Sequence, residues 1–362
     1  MSSSSFYMRL ALKLARHAPH PPYPNPWVGC VIVKEGRIVG RGWHNGPGTS
    51  HAEVVALKQA GARARGAMVY VTLEPCCHYG RTPPCTDALI RAGVREVVFA
   101  MRDPNPQVAG RGARLLRAEG IKVTSGLCAA EARALNEVYL KFRATGLPFI
   151  SVKIASSLDG KTATRTGHSK WITDPAARRH GRQFRVDHQA VLTGITTILA
   201  DDPHLGPRRR GAPEPWRVVL DSALRTPPLS KVVGTGRCII ACTRAASQQR
   251  QSQLEKHGAQ VWRFPGRRVP LRRLLAQLAE QGTISVLVEG GSEVLGSFFD
   301  EGLVDRAYWF ISPKILGSQS AQSAIGGLGV ARLAEATHLR QVKVMAVGDG
   351  WLFTGAVSRY AL

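Results

Sequence analysis

Three metal-seeking side chains far apart in sequence constrain this chain more than any other feature: His51, in His51-Ala52-Glu53, then Cys76 in Glu74-Pro75-Cys76-Cys77-His78, and finally Cys85. An imidazole and two thiols are useful together only if folding brings them to one point, and three protein ligands leave the fourth position of a tetrahedral zinc open, as a hydrolytic centre requires. His51, Cys76 and Cys85 are therefore the expected Zn2+ ligands. Glu53 lies two residues from the imidazole, at the start of an expected helix over Ala52–Ala60. It is the expected general acid/base, near enough to move protons at the site without binding the metal. A closed structural zinc site, with Cys77 or His78 as fourth ligand, is the alternative, but such a site has no use for the Glu53 carboxylate.

The order H-x-E, then P-C, is the pattern of zinc-dependent deaminases. Deaminases acting on cytidine, tRNA or DNA carry P-C-x-x-C, whereas here eight residues, among them His78, Gly80, Arg81 and Thr82, separate Cys76 from Cys85. This longer loop resembles that of the pyrimidine deaminases of riboflavin biosynthesis. Pro24-Asn25-Pro26-Trp27-Val28-Gly29-Cys30-Val31-Ile32-Val33 and Gly42-Trp43-His44-Asn45-Gly46-Pro47-Gly48 are similar to substrate-pocket segments of the same family. The resemblance makes Asn25 and His44 contacts for the pyrimidine or its ribose phosphate. Read locally, Asn25 between two prolines is a turn residue and His44 a loop histidine.

A length of 362 residues suits two domains, each large enough for its own core. The deaminase pattern ends by about residue 143, Arg143-Ala144-Thr145-Gly146-Leu147-Pro148 reads as a hinge, and a new apolar strand pattern starts at Phe149. The expected domains are 1–145 and 146–362. Gly206–Pro215 reads as a long mobile loop. No stretch is long and apolar enough to span a membrane, and Met1–Ser5 lacks the features of a signal peptide, so a cytoplasmic protein is expected. Seven cysteines, an odd number, fit reduced thiols and a metal better than a disulfide framework, with Cys30, Cys128, Cys238 and Cys242 expected to be buried thiols.

The formal charge of +24 invites a nucleic-acid reading. The excess is spread over both halves, +11 before the hinge and +13 after it, and arginine outnumbers lysine about three to one. No run interleaves basic residues with the aromatics that stacking platforms require. Arg208-Arg209-Arg210 and the arginine pairs at 267–268 and 272–273 read as solvated faces. The expected partner is a phosphorylated small molecule, with no nucleic acid and no membrane, and a homo-oligomer is expected.

Periodicity predicts an α/β chain. In the first half it suggests helices at Phe6–Ala18, Ala52–Ala60, Pro83–Ala92, Gly110–Glu119 and Ala129–Arg143. Strands fall near Val28–Val33, Arg37–Gly42, Ala67–Leu73 and Val94–Ala100. Both His51-Ala52-Glu53 and Pro75-Cys76 are expected at helix N-termini, where the dipole favours anions. The second half alternates strands (Phe149–Ala155, Ala190–Thr193, Arg217–Asp221, Cys238–Cys242, Ala259–Arg263, Ser285–Val288, Ala307–Ile311) with helices (Asp174–Arg185, Leu271–Gln281, Ser292–Glu301). Val286-Leu287-Val288-Glu289-Gly290-Gly291 runs a buried strand into two glycines that open a helix. That geometry can cradle a phosphate, although a tight turn explains the glycines equally, and it is not a G-x-G-x-x-G fingerprint.

Together with Ser151-Val152-Lys153-Ile154-Ala155-Ser156-Ser157-Leu158-Asp159-Gly160-Lys161, Trp171-Ile172-Thr173-Asp174, the run from Leu192 to Pro203, and Asp221-Ser222, this segment resembles the reductase half of the riboflavin-pathway family. The resemblance implies a cytidine-deaminase-like domain followed by a dihydrofolate-reductase-like domain. It also implies that Ala155, Trp171, Thr197, Asp201, Ser222, Gly291, Ser292, Glu293, Val294, Leu295, Gly296 and Ser297 contact NADPH, and that Ser169, Arg185, Leu205, Arg208 and Glu289 contact the substrate, a ribosylaminopyrimidine phosphate. Trp171 and Leu205 read alone are core residues, and Arg185 a surface helix residue. One departure stands out: the family carries Leu-Thr before its arginine, and here Gly206-Pro207 follows Leu205.

The implied function is zinc-dependent deamination of 2,5-diamino-6-ribosylamino-4(3H)-pyrimidinone 5′-phosphate, then NADPH reduction of the ribosyl chain to ribityl. Asp201 and Lys153 are candidate proton donors for the second step. The alternatives are a zinc-dependent nucleic-acid deaminase with a basic binding domain, which should show P-C-x-x-C and stacking aromatics, and a non-catalytic zinc scaffold, which should show four protein ligands.

Overall fold

The structure, a computed structural model, describes residues 3–80 and 82–358, so Arg81 of the loop between the two thiols lies outside the described residues. It divides into two compact units at Gly146/Leu147. Among the described residues no helix is long and apolar enough to cross a membrane.

The first unit contains α1 (Ser3–Ala15), β1 (Gly29–Lys34), β2 (Arg37–Trp43), α2 (Ala52–Ala60), β3 (Met68–Val71), α3 (Cys85–Ala92) and β4 (Glu96–Phe99). It continues with α4 (Arg111–Ala118), β5 (Lys122–Ser125), α5 (Ala129–Leu135) and α6 (Glu137–Thr145). The sheet order is β2-β1-β3-β4-β5, antiparallel across β1 and parallel from β3 to β5. Side chains alternate across a strand, so Cys30 and Ile32 face one layer, with Ala52 and Ala56 of α2, Leu89 of α3 and Leu116 of α4. Val31 and Val33 face the other, with Met8 and Leu12 of α1. Two glycines set how closely the site-bearing segments approach. A Cβ on Gly42 would fall 2.2 Å from the Ala52 carbonyl, so the first turn of α2 seats on β2, and a Cβ on Gly112 would fall 2.1 Å from the Pro75 carbonyl.

The second unit contains β6 (Phe149–Ser157), α7 (Pro175–Gln183), β7 (Ala190–Gly194), α8 (Ile195–Asp201), β8 (Trp216–Leu220), β9 (Cys238–Thr243) and α9 (Gln248–Lys256). Then follow β10 (Ala259–Phe264), α10 (Leu271–Glu280), β11 (Ser285–Val288), α11 (Ser292–Asp300), β12 (Arg306–Ser312), β13 (His338–Val347) and β14 (Gly350–Ser358). Nine strands pair in the order β10-β9-β8-β7-β11-β6-β12-β14-β13, parallel through β12 and antiparallel at the last two. Parallel strands must be covered on both faces. Leu274 and Leu278 of α10 and Phe298 of α11 cover one face, and Ile195 and Ile198 of α8 and Leu254 of α9 the other.

Several elements differ from the sequence expectations. The helix expected over Ala129–Arg143 is two helices, because Asn136 spends its side-chain amide on the backbone of Trp27, with Oδ1 accepting from Trp27 N at 2.8 Å and Nδ2 donating to Trp27 O at 3.0 Å. Pro75-Cys76 does not open a helix; Cys85 does. Cys128 is half-buried, while Cys30, Cys238 and Cys242 are fully buried. β5, α8, α9, β13 and β14 had no expectation. Leu254 is the single buried residue of α9, and β13 is an exposed edge strand with a register shift between Arg340 and Lys343, so neither carries a clean period.

Candidate active sites

His51 is the residue before the first turn of α2, and Cys85 is the first residue of α3. Cys76 lies in the irregular segment after β3, where its sulfur accepts the Cys85 N–H at 3.3 Å, so the N-terminus of α3 meets the thiol from outside. His51 Nδ1 stands 3.1 Å from Cys85 Sγ and 3.5 Å from Cys76 Sγ. The three donor atoms lie within 4.8 Å of one another, the single group of this kind among the described residues. A hydrogen bond from Cys85 and the adjoining imidazole hold the Cys76 thiol down at about 4, and Cys85, the donor, is pushed up. One nitrogen and two sulfurs, one of them readily a thiolate, fit a zinc ion.

The support around these donors was not visible in the sequence pattern. Thr82 Oγ1 stands 3.2 Å from His51 Nε2 and orients the ring from its far side. The Glu74 carboxylate accepts from Gly110 N at 3.0 Å and Ala113 N at 3.1 Å, which ties the Pro75-Cys76 turn to the start of α4. Cys77 turns away, its thiol donating to the Gln107 carbonyl at 3.6 Å.

Glu53 is 4% exposed, with the Cys85 thiol among its partners. Burial first, and then the Cys76 charge, push its carboxyl up to about 7, while His51 pulls the other way. Asn25 and His44 converge on the same place. The His44 ring is buried and stands 5.3 Å from the His51 ring, edge to face. Its Nδ1 donates to Ser50 O at 3.2 Å, so its Nε2 accepts from Asn25 Nδ2 at 2.9 Å, and burial lowers its pKa and keeps it neutral.

In the second unit the adjacent strands β7 and β11 end at Gly194 and Val288, and each leads into a helix whose N-cap glycine, Gly194 for α8 and Gly291 for α11, has no side-chain cap. The backbone amides of Gly291, Ser292 and Glu293 are left for an anion at the carboxyl end of the strands. Cβ atoms on Gly194 and Gly290 would fall 2.7 and 2.8 Å from Val294, and Thr197 Oγ1 lies 3.6 Å from where a Gly291 Cβ would be. Glycine at 194 and 290 thus makes room for Val294, and the uncapped amides at the start of α11 form the cradle that suits an anionic group such as the diphosphate of a dinucleotide. Ser222 follows β8, its carbonyl taken by Thr243 N and Oγ1. Leu295 is buried in the apolar core and Gly296 packs against Gly326, so those two residues face inward instead of lining the cradle.

Arg185 and Glu289 form a bidentate pair at 2.6 and 2.9 Å, and Arg185 Nη1 also donates to Gly206 O at 3.0 Å. Lys153 is 5.9 Å from the Phe310 ring centroid and feels the charges of Glu289 and Arg185; burial lowers its pKa. Lys170, between Ser169 and Trp171, pairs with Asp201 at 2.9 Å, which brings these three expected contacts together. Trp171 is 62% exposed with Arg178 stacked 4.3 Å over it, so it is no core residue. Leu205 is one: its side chain is 2% exposed in the apolar cluster under α8, and a ligand could meet only its backbone. Arg208 is exposed, and its charge, with those of Arg185, Arg178 and Arg179, presses on Arg182 and helps lower its pKa, after burial as first cause. Arg182 thus joins a cationic cluster that the sequence reading did not name. Ala155 is half-buried beside Phe310.

Residues 1–101 match the cytidine and deoxycytidylate deaminase zinc-binding region, and residues 148–353 match the RibD C-terminal domain. The riboflavin biosynthesis protein RibD of Aquifex aeolicus (strain VF5) is 44% identical over 344 residues, 95% of each chain. That of Escherichia coli (strain K12) is 42% identical over 362 residues, 95% of this chain and 96% of its own. Acinetobacter baumannii RibD, form 1, superposes with a TM-score of 0.90 at 38% identity and 99% coverage of both chains. The Thermotoga maritima diaminohydroxyphosphoribosylaminopyrimidine deaminase/5-amino-6-(5-phosphoribosylamino)uracil reductase gives 0.84 at 33% identity, covering 98% of this chain and 99% of that one. Matched by both domain families and by such relatives along nearly its whole length, the chain belongs to the RibD family of bifunctional riboflavin-biosynthesis enzymes.

Proposed function

We propose that the first unit deaminates the diaminopyrimidine ribosylamino phosphate and the second reduces the ribosyl chain of the product to ribityl. The observation that carries this reading is the convergence of His51, Cys76 and Cys85 beside the buried Glu53 carboxylate. His51, Cys76 and Cys85 would hold zinc, and Gly291, Ser292, Thr197, Asp201, Trp171, Ser222 and Ala155 would hold NADPH. When bound, zinc supplies a Lewis acid that makes water acidic, and NADPH supplies the hydride for C1′.

The protein's own part in deamination is proton movement and orientation. The buried Glu53 carboxylate, beside the three metal donors, can take a proton from the attacking water and return it to the leaving amine. Asn25 keeps its amide oxygen free to accept from the pyrimidine, because its Nδ2 is already spent on His44. In the second unit Ser169, Arg185, Arg208 and Glu289 would contact the substrate, with Arg208 and Arg185 suited to its phosphate. Lys153, half-buried near the charges of Glu289 and Arg185, would hold or deliver a proton to the opening ribose ring, and Asp201 is the second candidate.

We further infer a cytoplasmic homo-oligomer. Seven free thiols suit a reducing compartment, and the exposed edge strand β13, with Val342, Val344 and Met345 beside Trp351 of β14, suits pairing with a second copy.

X-ray absorption on the zinc-loaded protein tests the site. Two sulfurs and one imidazole per zinc are expected. Three sulfurs, with Cys77 joining, would make this a closed structural site and remove the catalytic reading.

A further inference from the structure

The turn after β6 has Asp159 at its tip, and its carboxylate is exposed yet fully engaged. Oδ1 accepts from Ser157 Oγ at 2.6 Å and Leu316 N at 3.1 Å, and Oδ2 accepts from Gly317 N at 2.7 Å. Around this point residues 157–171 are sewn to residues 314–324. Leu158 N donates to Lys314 O at 2.7 Å, Thr162 N to Gln322 O at 2.8 Å, Ala324 N to Gly160 O at 2.9 Å, and Lys314 Nζ to Trp171 O at 2.8 Å. Lys161 and Ser323 form an isolated antiparallel bridge. The far end of the same segment is fixed to α11: Gly326 N donates to Ser292 O at 3.0 Å, a Cβ on Gly296 would lie 2.3 Å from Gly326, and Asp300 accepts from Leu328 N at 2.8 Å and Gly329 N at 3.2 Å.

We infer that Asp159 is a positioning residue for the reductase reaction, clasping the 157–171 loop to the 314–329 segment, so that Ser169 and Trp171 are held in register with the N-terminal turn of α11. The inference rests on the proposal that Trp171 and the start of α11 meet NADPH. None of residues 314–329 is itself among the expected ligand contacts; the segment acts by joining two elements that are. The Ser157 hydroxyl first, and then the two amides, hold the Asp159 carboxyl at about 2, so the clasp is charged at every working pH.

Asp159→Asn removes it selectively, because an amide nitrogen must then face one of the backbone N–H groups. A displacement of about 1 Å at a reacting centre can cost ~10²-fold, so reductase kcat is expected to fall ~10- to 100-fold and KM for NADPH to rise, equally across pH 6 to 9. Deaminase activity should stay at the wild-type value, since Asp159 lies in the other unit, and the melting temperature should fall by no more than a few degrees, since the carboxylate is exposed. Hydrogen exchange supplies a readout besides activity. NADPH should slow the amides of 314–324 in the wild type and leave them fast in Asp159→Asn. Trp171→Ala, measured alongside, separates the two claims. Wild-type reductase kinetics in Asp159→Asn with an impaired Trp171→Ala would overturn the clasp alone. An unimpaired Trp171→Ala would overturn it together with the reading beneath it. A lowered melting temperature with both activities falling in parallel would reduce Asp159 to a structural residue and equally overturn the proposal.

Discussion

Glu53→Gln is expected to retain one zinc per chain and lose deamination by ~10²- to 10⁴-fold, the usual worth of a general acid/base, or more if the one group handles every proton transfer. Glutamine has nearly the same shape, so the buried pocket keeps its packing, and the donors His51, Cys76 and Cys85 are untouched. What disappears is a buried carboxylate beside the metal donors that can both accept and return a proton, which an amide cannot do. Reduction of the deaminated intermediate should proceed at the wild-type rate, because the second unit has its own core and its own cradle. Full deaminase activity in a zinc-loaded Glu53→Gln protein would remove Glu53 from the mechanism.

Replacing either Cys76 or Cys85 by serine is expected to strip the metal and abolish deamination, whereas Cys77→Ser should keep about one zinc per chain and most of the activity. A neutral hydroxyl is a far poorer ligand than a thiolate, and changes in the outer shell alone already cost 10- to 100-fold in affinity, so losing a direct ligand should exceed ~100-fold. The geometry separates the adjacent thiols: Cys76 Sγ faces the His51 ring and the N-terminus of α3, and Cys77 Sγ points to the Gln107 carbonyl. Zinc content of the three purified variants decides it. Loss of metal in Cys77→Ser with retention in Cys76→Ser would mean the ligand set is wrong.

The deaminase centre was legible because its chemistry depends on rare side chains at short, fixed spacings. His51 and Glu53 lie one helical entrance apart, and Pro75 introduces the first thiol. The supports were illegible because they are non-local: Glu74 meets amides 36 and 39 residues away, and Thr82 reaches His51 across 31. The reductase contacts were named from resemblance by residue, and the structure divides them by direction. Glu289 and Arg185 face each other as a pair, while Leu205 and Leu295 put their side chains into the core. A motif names positions along the chain; which face each presents depends on the sheet it joins. The same reasoning explains α9 and β13, where too little of the surface is buried to leave a period in the sequence.

The central claim, two consecutive reactions in one chain, is tested most directly by incubating the full-length, zinc-loaded protein with the diaminopyrimidine ribosylamino phosphate and following ammonia and NADPH together. Without NADPH the account predicts stoichiometric ammonia release and accumulation of the deaminated ribosyl compound. With NADPH it predicts the ribityl product, with cofactor oxidation lagging behind ammonia. Cofactor oxidation without ammonia release, or no ammonia from zinc-loaded protein, would contradict it.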